Sequence, residues 1–105
     1  MSRSDVVVAF STIDSSEKAA VIARALVEEK VAACVNILPG ATSIYFWKNK
    51  ICEESECLLM IKTTTEKLET LKTKIRELHS YEVPELIVLP IVDGFPDYLD
   101  WVANH

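Results

Sequence analysis

The sequence predicts an α+β sandwich in the order β-α-β-β-α-β, closed by a short C-terminal helix. Three observations predict it. Short β-branched or apolar runs stand at 6–12, 31–38 and 85–92. Two longer segments repeat apolar residues every three and four positions, the helical period. Between them, Lys48-Asn49 separates two long alternating arms, which is hairpin punctuation.

The first run, "VVVAFST", reads as a buried central strand. The period then changes in "IDSSEKAAVIARALVEEK", where Asp14 or Ser15 can cap a helix and Glu17 falls in its first turn. Ala19, Ile22, Ala23, Leu26 and Val27 make one apolar stripe on that helix. "VAACVNIL" returns to strand character. Pro39-Gly40 then marks a bulge or bend rather than a chain end, because Pro removes a ladder donor and Gly permits unusual dihedrals.

With Lys48-Asn49 as the turn, facing hairpin residues sum to 97. Trp47 meets Lys50, Tyr45 meets Cys52, Ser43 meets Glu54 and Ala41 meets Glu56, all on one face. Phe46 opposite Ile51 and Ile44 opposite Glu53 occupy the other. In "TTTEKLETLKTKIRELHSY", Thr63 and Glu66 have capping-box spacing, and Leu68, Leu71, Ile75 and Leu78 line one helical face. "ELIVLPIV" predicts another buried strand after Pro84. Asp93-Gly94 turns the chain into "FPDYLDWVANH", a short helix with Pro96 near its start. This order is the ferredoxin-like arrangement, an antiparallel sheet with both helices on one face, and it hosts many unrelated functions.

The hairpin carries large apolar side chains on both faces. Arms of about ten residues reach roughly 33 Å, more than two helices and their own core can cover. An exposed patch of Trp, Tyr, Phe and Ile usually marks an interface. We therefore expect a homo-oligomer whose arms pack on or pair with neighbouring subunits. The alternative is that Phe95, Tyr98 and Trp101 fold back over the ribbon within one chain.

A chain of 105 residues is long enough for one domain, 1–105, with its own core. A net charge of −5 argues against nucleic acid as a partner, which selects basic surfaces. No apolar run is long enough to span a bilayer, and "MSRSDVVVAF" shows no leader pattern, so the expected location is cytoplasmic. Three cysteines, an odd number, suggest free thiols. Cys52 and Cys57 fall on opposite strand faces roughly 17 Å apart, too far for a bridge or a shared metal. No Ser-His-Asp order, phosphate-cradling Gly loop, CxxC or HExxH is present, so no catalytic residue is assigned.

The candidate ligand-binding residues are polar and aromatic groups near the hairpin. Glu54 and Glu56 share one strand face roughly 6.6 Å apart, a spacing that suits a hard cation or a polar ligand. The alternative is a solvated face that discourages edge aggregation. Tyr45, Trp47, Lys50 and Lys62 suggest an aromatic and basic pocket at a subunit boundary, suited to an anionic or planar ligand, or else interface packing with Lys50 over Trp47. Tyr81 and Glu85 flank the entry to the last strand, either at a site or as an interface hydrogen bond and a rim charge. His79 is a candidate metal ligand; otherwise its imidazole meets free carbonyls at the helix C-terminus. Cys34 reads as a buried small hydrophobe, with a soft Cu(I) ligand as the alternative.

"EEKVAACVNILPGATSIYFWKNKICEESECLLMIKT" followed by "YEVPELIVLPI" resembles the CutA family of divalent-cation-tolerance proteins almost end to end. The resemblance implies a ferredoxin-like subunit in a tight trimer, with long hairpin strands pairing between subunits. It also implies kinship with the trimeric PII proteins, which sense small molecules in inter-subunit clefts. Some members bind copper, and animal relatives are linked to acetylcholinesterase anchoring; no enzymatic reaction comes with the family. The family's copper site uses a Cys at the end of the first strand and adjacent His residues after the second helix. Here Phe10 and Leu78 stand at two of those positions, and His79 alone is kept.

The expected function is thus a homotrimer in copper and divalent-metal tolerance, binding a metal ion or small ligand between subunits. A structural anchoring module acting through protein contacts is the alternative. An enzyme using Glu54 or His79 as general base is the third reading.

Overall fold

Residues 5–105 are described by a computed structural model; residues 1–4, on which the reading of a leaderless start partly rests, lie outside them. The elements run β1 (Val6–Ile13), α1 (Ser16–Glu28), β2 (Cys34–Trp47), β3 (Lys50–Thr64), a 3-10 turn (Thr65–Lys67), α2 (Leu68–Leu78), β4 (Ile87–Pro90) and α3 (Pro96–Ala103). The sheet order is β2-β3-β1-β4 with antiparallel neighbours throughout, which is the ferredoxin-like topology.

Alternation decides which residues meet the helices. Ala9, Ile13, Leu59 and Ile61 point to one sheet face, where Ile22 and Leu26 of α1 and Leu71 and Ile75 of α2 complete the core. Ser15 caps α1, accepting a hydrogen bond from the Lys18 amide, and Asp14 instead pairs with the Lys18 ammonium at 3.2 Å. The helix ends in a Schellman motif with Lys30 at φ +60°: the Lys30 amide bonds Val27 O and the Val31 amide bonds Leu26 O.

The hairpin register is the expected one, from Ala41 opposite Glu56 to Trp47 opposite Lys50. Lys48 and Asn49 both have positive φ, as the two-residue turn requires. Pro39-Gly40 is a bulge inside β2: Leu38 faces Leu58, and the register shifts before Ala41, with Gly40 at φ +83°. Beyond it the ribbon projects past the rest of the sheet.

Several local expectations fail for tertiary reasons. Thr63 does not cap α2; it ends β3, and its hydroxyl donates to Val31 O at 2.7 Å, so the chain enters α2 through the 3-10 turn. The last strand is not buried. Only Ile87–Pro90 is regular, and as an edge strand paired with β1 alone it leaves Ile87 and Leu89 about half exposed. Val27 and Leu78 lie at the margins of their apolar stripes and are exposed. Cys34 is half-buried rather than buried, with Sγ 3.9 Å from Asn36 Oδ1. All three cysteines are free.

The C-terminal helix does not cover the ribbon. Val102 and Ala103 of α3 pack against Val6 at the other end of β1, while Phe95 is 84% exposed. Ile44, Phe46 and Ile51 on the ribbon remain two-thirds exposed or more. The register also places Val8, Phe10, Leu38, Leu58, Met60, Ile87 and Leu89 together on the sheet face opposite α1 and α2. Leu38, Ile87 and Leu89 are exposed on that face.

Candidate functional site

Where the ribbon leaves the sheet, it meets the end of β1 and the connection from α2 to β4. The His79 amide closes the last turn of α2 onto Ile75 O, and His79 then turns to extended backbone. The Tyr81 amide donates back to His79 Nδ1 at 3.1 Å, and Pro84 restricts the residue before it. These local constraints carry the connection across the ribbon root. A cleft of about 640 Å³ opens there, lined by Thr12, Ser43, Ile44, Tyr45, Trp47, Glu54, Glu56, Tyr81, Glu82, Val83 and Glu85.

Paired tyrosines and glutamates organise the cleft. Tyr45 Oη donates to Glu54 along the ribbon. Tyr81 Oη donates to Glu56 Oε2 at 2.5 Å from the connection, and Thr12 Oγ1 donates to Glu85 Oε1 at 3.4 Å. Glu56 is 8% exposed, so the solvated-strand alternative fits Glu54 and does not fit Glu56. A buried carboxylate needs donors, and Tyr81 supplies one. The Tyr45 hydroxyl is pushed up to about 12, chiefly by its bond to Glu54. The Tyr81 hydroxyl is raised well above the ordinary tyrosine value, first by burial and then by its bond to Glu56. Both phenols therefore stay protonated donors at neutral pH.

Of the residues singled out in the sequence, Tyr45, Trp47, Glu54, Glu56, Tyr81 and Glu85 line this cleft. Lys50 and Lys62 do not, so the cleft of one chain lacks the basic groups on which the expectation of an anionic ligand rested. Lys62 lies on the open sheet face opposite Val8, with Nζ 5.5 Å from the Tyr98 ring. Lys48, and not Lys50, carries the ammonium near Trp47, 5.7 Å from the ring centre. Glu82, Val83, Thr12, Ser43 and Ile44 were missed, the last two although their hairpin positions were assigned. Glu82 and Val83 sit between Tyr81 and Pro84, and their enclosure in a proline-restricted connection was the available signal. Thr12 gave none, since its partner Glu85 is 73 positions away.

His79 stands behind the cleft at 8% exposure. Nδ1 accepts from the Tyr81 amide, so the neutral ring carries its proton on Nε2 and donates it to Thr12 O at 2.7 Å. The expected helix-terminal carbonyl is thus replaced by one from β1. Both nitrogens are engaged within the chain, and neither lone pair is free for a metal. Phe10 lies mid-strand opposite Met60, and Leu78 ends α2. Among the described residues no group of three or more His, Cys, Asp or Glu side chains could hold a metal ion. The residues do not fit the copper site that the resemblance implies.

Comparison with known proteins gives a consistent result. The profile of the family described as CutA1 divalent ion tolerance protein matches residues 7–105. The Thermus thermophilus divalent-cation tolerance protein CutA is 52% identical over 94 residues, 90% of this chain and 91% of that one. An Arabidopsis thaliana protein named "Protein CutA, chloroplastic" is 44% identical over 93% of this chain. The chain spans about half of that relative's length, 54%. Among solved structures, the Thermus thermophilus protein superposes with a TM-score of 0.92 at 49% identity, covering 94% of this chain and 96% of that one. The apo PII-like protein CutA from Nostoc superposes with a TM-score of 0.86 at 41% identity, over 93% and 94%.

Proposed function

The chain belongs to the CutA1 divalent ion tolerance family, and from that footing we propose that it works as a homotrimer whose cleft binds a small ligand or a metal ion in divalent-cation tolerance. One observation carries the proposal. The 640 Å³ cleft opens on one face of a ribbon whose other face leaves Phe46 and Ile51 exposed, so the ribbon offers a site on one side and an apolar surface for a second copy on the other. The open sheet face supports the same assembly, because Leu38, Ile87 and Leu89 need a cover that no helix of the chain supplies.

Within the cleft, Tyr45 and Tyr81 hold Glu54 and Glu56 in place, and Trp47 adds an aromatic surface. These groups bind and orient; no catalytic role is proposed. A metal ion would need donors from a neighbouring copy, since the described residues of one chain offer too few. Copper has no support in the donor set. Three free thiols suit a reducing compartment, in keeping with a cytoplasmic location. Among the described residues no helix is long and apolar enough to cross a membrane.

Exposed Val92 and Phe95 favour a second reading, an anchoring module that engages another protein. Size-exclusion chromatography with light scattering tests the assembly, and a compact monomer would overturn it. Titration with Cu²⁺, Mg²⁺ and small organic probes, followed by amide shifts at 43–56 and 79–86, tests the cleft. Shifts confined to 92–98 with a partner protein would favour anchoring.

A further inference from the structure

Resting on the reading of the cleft as a binding site, we infer that its ligand is a small organic cation, an amine or quaternary ammonium compound with an apolar body.

Size and charge set this class. A volume of about 640 Å³ lies within the range of about 300–1,000 Å³ typical of small-molecule sites and far exceeds one bare ion. Glu54, Glu56, Glu82 and Glu85 line the cleft, and among the described residues no Lys or Arg does. A phosphate or carboxylate ligand would meet like charge from four glutamates, against which the Lys48 ammonium beside Trp47 sets a single positive charge. The donors that hold three of these glutamates are neutral hydroxyls, from Tyr45, Tyr81 and Thr12. The ion pairs among the described residues lie elsewhere, on α1 and α2 and their flanks, so the negative field of the cleft is not internally cancelled.

The walls suit an organic cation better than a metal. Tyr45, Trp47 and Tyr81 present aromatic rings, whose faces attract ammonium groups and do so more strongly when water is excluded. Trp47 already carries one, since Lys48 Nζ lies 5.7 Å from the ring centre. Ile44 and Val83 offer apolar contact for an alkyl body. A hard metal ion requires about six or more oxygens in a tight shell. The carboxylates of Glu54 and Glu56 already accept hydrogen bonds, and among the described residues no three-ligand group forms.

The test uses the full chain in its native assembly. Choline, tetramethylammonium and agmatine are compared with 3,3-dimethyl-1-butanol, the uncharged isostere of choline, by calorimetry and by amide shifts at 43–56 and 79–86. At least one cation should shift the cleft amides, and choline should bind about tenfold or more tighter than its isostere. Trp47→Leu should weaken the cations and leave the isostere unchanged. Glu54→Gln and Glu85→Gln, both at exposed positions, should each weaken the cations with the fold retained by circular dichroism. Equal binding of the isostere, or preferential binding of ATP at the same amides, overturns the cation class while the cleft stands as a site. Shifts with Cu²⁺ or Mg²⁺ and with none of the organic cations also overturn it, in favour of a metal. No shift with any probe overturns this inference and the binding-site reading together.

Discussion

Tyr81 donates its hydroxyl hydrogen to the Glu56 carboxylate at 2.5 Å, joining the connection after α2 to the root of the ribbon across 25 positions. The acceptor is buried, so the bond matters in proportion. Tyr81→Phe leaves a buried carboxylate short of a donor and should lower stability by about 1.5–3 kcal/mol in urea unfolding. Tyr45→Phe, with its partner Glu54 in open water, should cost much less. Equal losses for the two variants would show that burial at Glu56 has been overrated.

Tyr45 provides a pH signature. Its hydroxyl is raised from the ordinary value of 10.0 to about 12 by the bond to Glu54. The folded-state value exceeds the unfolded one, so the contribution is complete below pH 10 and lost as pH rises through about 12. Ultraviolet titration of the phenolate should find this late-titrating tyrosine in the wild type. Glu54→Gln should bring it back toward 10.

His79 is an internal brace. His79→Ala removes the bond to Thr12 O and the acceptor for the Tyr81 amide, and should cost about 1–3 kcal/mol in thermal or urea unfolding. Copper affinity should stay unchanged, because neither ring nitrogen has a free lone pair. Loss of stoichiometric copper binding at unchanged stability would reverse this assignment.

Two backbone positions should respond in opposite directions. Lys30 holds φ +60° at the end of α1, where Gly adopts the same conformation without a Cβ clash. Lys30→Gly should therefore raise stability by about 0.5–1 kcal/mol. Gly40→Ala should lower it by about 1–2 kcal/mol at φ +83°, although an added Cβ would meet nothing within 4 Å. Denaturant midpoints separate the two.

The ribbon substitutions test assembly apart from folding. Phe46 and Ile51 face each other outside the core formed by Ala9, Leu59 and Ile61. Phe46→Asp with Ile51→Asp should reduce the mass in light scattering to that of one chain while far-ultraviolet circular dichroism keeps its shape. An unchanged mass would remove the ribbon from the interface.

The ferredoxin-like order, the Lys48-Asn49 turn, the hairpin register and the Pro39-Gly40 bulge were all legible in the sequence. Each follows from alternation of side chains or from the φ preference of one or two residues, and these are properties of neighbours in the chain. Six cleft residues were also legible by type, as aromatic and acidic groups on one ribbon face or beside Pro84. Their company was not. Lys50 and Lys62 looked equally eligible, yet Lys62 sits opposite Val8 and beside Tyr98, away from the cleft.

By itself the sequence determined the elements and the pairing of the hairpin, because both rest on local periodicity. Only the tertiary structure decided that Thr63 bonds Val31 O instead of capping α2, that His79 braces Thr12 and Tyr81, and that Tyr81 reaches Glu56. Apart from the local His79–Tyr81 bond, those outcomes join groups 25 to 67 positions apart. A polar side chain leaving water takes whichever partner the packed elements bring within reach, and no local pattern names that partner in advance.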